Sequence, residues 1–447
     1  MRKFHIILVI FSGKCIIGFR KWGIIMLVQF RFKNFKSFRD EAVLDLSAAK
    51  MTEFSERVVS IGGERLLRTA AIYGANASGK SNVYEALLYM SVYVMDSFNY
   101  GDDREGFAQY RPIPFLFDST SADEESLFEV YFMLPGDSRE KMYHYGFCVN
   151  HDSVTEEWLN TKAKTARKYN PVFYRNEKEG EKDLDLSGLT KSGRENVRAA
   201  LDSRTLIVSL GAKLKVEVCK MVRDWFLVNE FSNFGNPRVN ARLSQRVPNG
   251  FIEDKAVQQR VVAYFASFDS SIKDFRVEKL PPDETVQGER YRIDALHKKF
   301  DCDDIAAIPL GWESAGTLKM FALYPELQSV LAHGSVFVID ELNARLHPLL
   351  VRNFLLLFLN PKINVHNAQL IFTTHDTWQL SNRLLRRDEI WFTEKDARGV
   401  STLYSLADIA DEDGARVRKD VSYEKNYLLG KYGAIPALRD MNVLEEV

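Results

Sequence analysis

Apolar residues along this chain follow two patterns, and the most informative change between them falls near residue 80. Ala70-Ala71-Ile72-Tyr73 is an unbroken apolar run, which predicts a buried strand. After a polar, glycine-containing stretch, Val83, Ala86, Leu87, Met90 and Val94 recur at helical spacing. Val336-Phe337-Val338-Ile339 and Ile371-Phe372 predict two more buried strands, the first covered on both faces as in a parallel sheet. Leu27 to Phe32 alternates, as an edge or half-buried strand does, and Ala42 to Leu46 reads as a second strand. Arg57 to Ile61 with Gly62-Gly63 predicts a hairpin. Leu127 to Met133 and Met142 to Val149 are strands around the turn residues Pro135-Gly136-Asp137, and Val172 to Arg175 is a third. These three make an inserted antiparallel meander. Residues 176–193 are polar and read as a loop. Glu195 to Phe226 and Ala256 to Phe268 are helical in pattern, and Arg276 to Leu280 and Tyr291 to Ile293 return to strand. The expected fold is α/β: a mixed sheet with flanking helices and an N-terminal β layer, carrying an inserted β-meander and helical subdomain. The segments divide as 1–25, an N-terminal extension; 26–118, the first part of the head; 119–275, the insert; and 276–447, the second part of the head.

The 447 residues are 46% hydrophobic and 27% charged, an ordinary globular composition, and the net charge of −1 gives no overall attraction to nucleic acid. Cys15, Cys148, Cys219 and Cys302 are far apart and form no C-x-x-C pair, so neither a zinc site nor a disulfide framework is expected and a cytoplasmic setting fits. Met1-Arg2-Lys3 followed by Ile6 to Phe11 is like the start of a signal peptide. The run is short and is broken by Gly13-Lys14, whereas a spanning helix needs about 20 apolar residues. The folded part is expected to start near Met26, with residues 1–25 a loose tail or over-extended start and no membrane partner.

Gly74-Ala75-Asn76-Ala77-Ser78-Gly79-Lys80-Ser81 has the form G-x-x-x-x-G-K-S between a predicted strand and a predicted helix, the context a phosphate-binding loop needs. Backbone N–H groups from Gly74 to Asn82 would face phosphate oxygens at the helix N-terminus. Gly74 and Gly79 allow close approach, Lys80 brings a cation to the β- and γ-phosphates of ATP, and Ser81 offers a hydroxyl to Mg²⁺. Asp340-Glu341 ends a buried strand, where a carboxylate is costly unless a positive charge meets it. Asp340 is assigned to the shell of Mg²⁺ and Glu341 to polarising the attacking water. His375 follows the next buried strand, and ligands of open α/β sheets bind beyond the carboxyl ends of strands, which predicts that it lies near the γ-phosphate. Ser314 and Gly316 fit either a helix N-cap or a second phosphate contact made to the ATP of a facing second copy. His347 is read as structural.

In their order, Gly74 to Ser81, Ser314 to Thr317, Val336 to Glu341 and Thr374-His375 resemble the ABC-class ATPases, in the SMC-like and OLD-like branch. Phe32 to Phe38, Asp340 to Pro348 and Tyr423 to Pro436 are similar to the ATPases of bacterial abortive-infection and anti-phage loci, and the resemblance covers roughly residues 26–436. It implies a P-loop NTPase head of the ABC class, an ATPase that dimerises head to tail around ATP and controls a separate effector such as a nuclease or toxin. A DNA-binding repair or recombination ATPase without an effector is the alternative, with Lys162 to Lys168 its best basic segment. The chain departs from the family pattern in starting its signature Glu313-Ser314 rather than Leu-Ser. It also lacks a clear magnesium-contacting glutamine, Gln109 being the nearest. The segment after His375 shows no acidic cluster of the kind a two-metal nuclease needs.

Overall fold

The computed structural model describes residues 8–10, 25–99, 111–134, 140–178, 180, 182–236, 247–248, 250–266, 270–281, 289–410 and 414–436. In chain order the elements are β1 (Leu8–Ile10), β2 (Met26–Lys33), β3 (Ala42–Asp45), β4 (Val59–Ile61), β5 (Glu64–Leu66), β6 (Thr69–Gly74), α1 (Lys80–Asp96), β7 (Ser126–Met133), β8 (Met142–Val149), β9 (Val154–Lys162), β10 (Asn170–Asn176) and β11 (Asp183–Asp185). Then come α2 (Lys191–Ala200), α3 (Ile207–Lys213), α4 (Glu217–Leu227), β12 (Glu230–Asn233), α5 (Lys255–Phe265), β13 (Ile272–Lys279), β14 (Glu289–Lys298), β15 (Ile305–Pro309), α6 (Ala315–His333) and β16 (Val336–Asp340). The chain closes with α7 (Pro348–Leu359), β17 (Gln369–Thr373), β18 (Ile390–Lys395), β19 (Ser401–Ser405) and α8 (Tyr423–Leu428).

The central sheet has the order β12-β16-β17-β6-β18-β19. All its pairings are parallel except that of β19, which returns antiparallel from β18. Unbroken apolar runs are needed here because both faces are covered. Ile72, Val338, Ile371 and Trp391 pack into one core with α1, while Tyr73, Phe337, Ile339, Leu370, Phe372 and Phe392 pack into the other with α6 and α7. The three carboxyl ends that matter, those of β6, β17 and β16, leave the sheet side by side.

A second, antiparallel sheet of order β11-β10-β9-β8-β7-β2-β3 lies over α1. The N-terminal β layer and the inserted meander are thus one sheet, because β2 pairs with β7 along Met26 to Lys33. Its alternation allowed an edge or a half-buried strand; β2 is an interior strand, paired on both sides. Gln369 fastens it to the central sheet, accepting from the Leu27 N–H at 2.7 Å and donating to the Leu27 and Leu67 carbonyls at 2.9 Å each. The meander also has more strands than expected. Val154–Lys162 pairs on both sides, although the inward Thr155 and Glu157 put polar residues on its buried face and hide the alternation. The helical stretch 195–226 is divided among α2, α3 and α4. Within the stretch read as a loose extension, Leu8–Ile10 pairs antiparallel with β14. The architecture is the expected α/β one: a mixed central sheet with flanking helices, an N-terminal β layer, and an inserted meander with helices.

Candidate functional site

Gly74 has φ 152° and Gly79 has φ 114°, both in the region that favours glycine. A Cβ on Gly74 would come within 2.4 Å of the Thr393 carbonyl oxygen, and one on Gly79 within 2.7 Å of Ser401 Oγ. The loop is therefore pressed onto β18 and β19. Ser78 Oγ lies 2.6 Å from Thr393 Oγ1, and Asn82 donates to Ser37 Oγ at 2.6 Å. Ser37 Oγ is also 2.7 Å from Ser401 Oγ, and Lys36 ion-pairs with Glu85 of α1. So the Phe35-Lys36-Ser37-Phe38 segment braces the loop from one side. From the other, Tyr427 stacks on Phe392 at 5.4 Å and faces Tyr73 at 6.4 Å, which ties the C-terminal Tyr423 to Pro436 segment to the strand leading into the loop.

α1 begins at Lys80, so its leading N–H groups have no partner within the helix and the positive end of its dipole sits at the loop. The Lys80 ammonium is buried and donates to the Gly74 and Ala75 carbonyls at 2.9 and 2.8 Å. Burial pushes its pKa down to about 8, against the opposing pull of Asp340 and Glu341. Ser81 Oγ donates to Asp340 Oδ1 at 3.2 Å. The same oxygen accepts from Thr373 Oγ1 at 2.6 Å, and Asp340 Oδ2 accepts from Asn233 Nδ2 at 2.9 Å. These bonds satisfy both oxygens of a carboxylate buried at the end of a core strand.

Glu341 takes a left-handed backbone conformation, φ 56°, and its N–H donates to Thr373 Oγ1 at 2.8 Å. Its carboxylate rests on the bare backbone of Gly235, where a Cβ would come 2.1 Å from Oε2. The His375 N–H donates to Asn343 Oδ1 at 3.2 Å. Partial burial first, and the Lys80 charge second, hold the His375 imidazole below its ordinary pKa, with Asp340 opposing, which favours the neutral ring near pH 7. Lys80, Ser81, Asp340, Glu341 and His375 thus come together from β6, β16 and β17. An oxygen donor set of hydroxyl and carboxylate 3.2 Å apart beside a phosphate-type loop fits Mg²⁺ with a nucleoside triphosphate.

Ser314 and Gly316 lie at the start of α6. Ser314 Oγ accepts from the Thr317 N–H at 3.0 Å, so it caps the helix, and a Cβ on Gly316 would lie 3.6 Å from the Arg345 carbonyl oxygen. His347 likewise caps α7, accepting from the Leu349 N–H at 3.2 Å. Gln109 lies outside the described residues. In the basic run, Lys164 ion-pairs with Glu140 at 2.9 Å and Lys162 lies over the Tyr169 ring.

Two residues of the site were not foreseen. Thr373 joins Asp340 to the Glu341 backbone, and a polar β-branched residue ending a buried strand was its one visible signal. Asn233 arrives on β12, a strand of four residues that only its parallel pairing with β16 reveals.

No curated protein matches the chain. Similar solved structures include two of the recombination mediator protein RecF in the RecFOR pathway. One, RecF-ATPrS, is 14% identical, and the other, RecF-ATP, is 13% identical; each has a TM-score of 0.34 and covers 86% of this chain and 99% of its own. A family model described as "AAA domain, putative AbiEii toxin, Type IV TA system" matches residues 70–377. That span runs from the strand before the phosphate loop to just past His375, and the chain belongs to this family of P-loop ATPases.

Proposed function

We propose that this protein is a Mg²⁺-dependent ATPase whose heads pair head to tail around ATP, and that its nucleotide cycle switches a separate effector, a nuclease or toxin, in anti-phage defence of the abortive-infection type. The observation that carries the reading is the convergence of Lys80, Ser81, Asp340, Glu341 and His375 at the carboxyl ends of three neighbouring strands. Loop N–H groups from Gly74 to Asn82 and the Lys80 ammonium hold the β- and γ-phosphates. Ser81 and Asp340 hold Mg²⁺, which when bound neutralises charge on those phosphate oxygens. Glu341 polarises the attacking water, and neutral His375 donates a hydrogen bond to the γ-phosphate.

Pairing is supported by apolar side chains left exposed next to the elements that carry the site: Trp312 just before α6, Leu349 in the first turn of α7 and Trp378 shortly after His375 are 65%, 52% and 44% exposed. A second copy laid across this face would bring its Ser314 and Gly316 to the first copy's ATP. The defence setting is supported by the family description and by the Asp340 to Pro348 and Tyr423 to Pro436 segments. Among the described residues no helix is long and apolar enough to cross a membrane.

The test is ATP turnover and light scattering on purified protein. Lys80→Ala abolishes turnover. Glu341→Gln retains ATP and accumulates as a dimer in its presence; wild-type hydrolysis by that variant refutes the assignment. Repeating turnover with duplex DNA across a salt series separates the repair reading, which requires salt-dependent stimulation. Pull-down of the trapped dimer from its native host identifies the effector.

A further inference from the structure

Lys319, on the first turns of α6, points inward and is buried. Its ammonium donates to the Ala344 carbonyl at 2.5 Å and lies 3.9 Å from the centre of the Phe234 ring. Both neighbours belong to the surroundings of Glu341. The Ala344 N–H bonds the Glu341 carbonyl at 2.9 Å, closing the turn in which Glu341 and Arg345 both have positive φ, 56° and 62°. Phe234 directly precedes Gly235, on whose backbone the Glu341 carboxylate rests, and the Phe234 N–H bonds the Asp340 carbonyl at 2.8 Å. One buried cation therefore grips the segments on either side of the carboxylate. Fixed charges face it from the same turn: Glu341 attracts it and Arg345 repels it, and burial together with Arg345 brings the lysine down to about 7. A methionine would fill the same space without the cost of burying a charge, so packing alone does not account for lysine here.

We infer that Lys319 is a positioning residue that ties α6 to the Glu341 turn and sets where the Glu341 carboxylate points. Only one helical turn separates Lys319 from Gly316. The end of α6 that meets the partner copy's nucleotide is thereby linked, within one chain, to the group that activates water at that chain's own site. The inference rests on the reading of Glu341 given above.

The experiment is steady-state ATP turnover, ATP binding and urea unfolding of the full chain for wild type, Lys319→Met, Lys319→Gln and Glu341→Gln, with each Lys319 change also placed in the Glu341→Gln background. Expected is a fall in kcat of at least tenfold for Lys319→Met, with ATP affinity within twofold of wild type. Lys319→Gln, which keeps a donor for the Ala344 carbonyl, retains an intermediate rate. In the Glu341→Gln background neither change lowers the residual rate further, because the group being positioned has already been replaced. If Lys319→Met does not fold, Lys319→Gln and its double variant carry the same comparison. A kcat within twofold of wild type, or a full additive loss in the double variant, overturns the inference, since a structural role alone alters stability without this pattern. An inactive wild type would instead overturn the ATPase reading, whereas an active wild type with indifferent Lys319 variants removes only the tether.

Discussion

Replacing Thr373 by valine tests the geometry of the site at the point where sequence offered least. The Thr373 hydroxyl is buried and holds two partners: it donates to Asp340 Oδ1 at 2.6 Å and accepts from the Glu341 N–H at 2.8 Å. Losing a bond to a charged acceptor costs about 1.5–3 kcal/mol, and leaving the Glu341 N–H buried and unpaired costs about 1–3 kcal/mol more. The expected loss is about 2.5–6 kcal/mol of stability, read from urea unfolding of nucleotide-free protein at pH 7.5. Turnover falls as well, by at least about tenfold, because Glu341 loses the bond that fixes its backbone and small misplacements of a reacting group are expensive. Thr373→Ser keeps the hydroxyl and sheds one methyl, so it costs about 1 kcal/mol and leaves kcat near wild type. A Thr373→Val protein within about 0.5 kcal/mol of wild type and with unchanged kcat would show that these two bonds do not govern the site.

Two further outcomes follow from the same contacts. Asn233→Ala removes the donor to Asp340 Oδ2 and raises the Mg²⁺ concentration needed for half-maximal turnover. Asn233→Asp sets a second carboxylate against Asp340 and is less stable than Asn233→Ala by at least about 1 kcal/mol in urea at pH 7.5. The Lys80 pKa of about 8 lies below that of the unfolded chain, so from pH 8 to about 10.5 the unfolded state binds the extra proton and stability rises with pH. Below pH 8 the full penalty of the buried charge is present. Thermal unfolding without nucleotide should show this rise in wild type and lose part of it in Lys80→Met, and ATP, by placing negative charge beside the ammonium, should diminish it.

What the sequence by itself determined is everything carried by local pattern. Gly74 to Ser81 could be read because the loop's glycines, lysine and serine answer to backbone conformation and phosphate chemistry within eight consecutive positions. Val336 to Glu341 and Ile371 to His375 could be read because a strand buried on both faces must be uniformly apolar until it reaches its polar end. The family resemblance rested on the same contiguous runs. Tertiary structure alone decided what depends on partners far away in the chain. It joined Met26–Lys33 to Ser126–Met133, making one sheet of what the sequence shows as two stretches 100 residues apart. It brought Asn233 beside Asp340 through a pairing of four residues, too short to carry a periodicity of its own. It set Lys319 against Ala344 and Phe234, although at the level of sequence that residue is only one charge on a helix. Hydrogen bonds and buried charges are satisfied by whatever the fold delivers, and a one-dimensional pattern records the need for a partner without recording which residue will meet it.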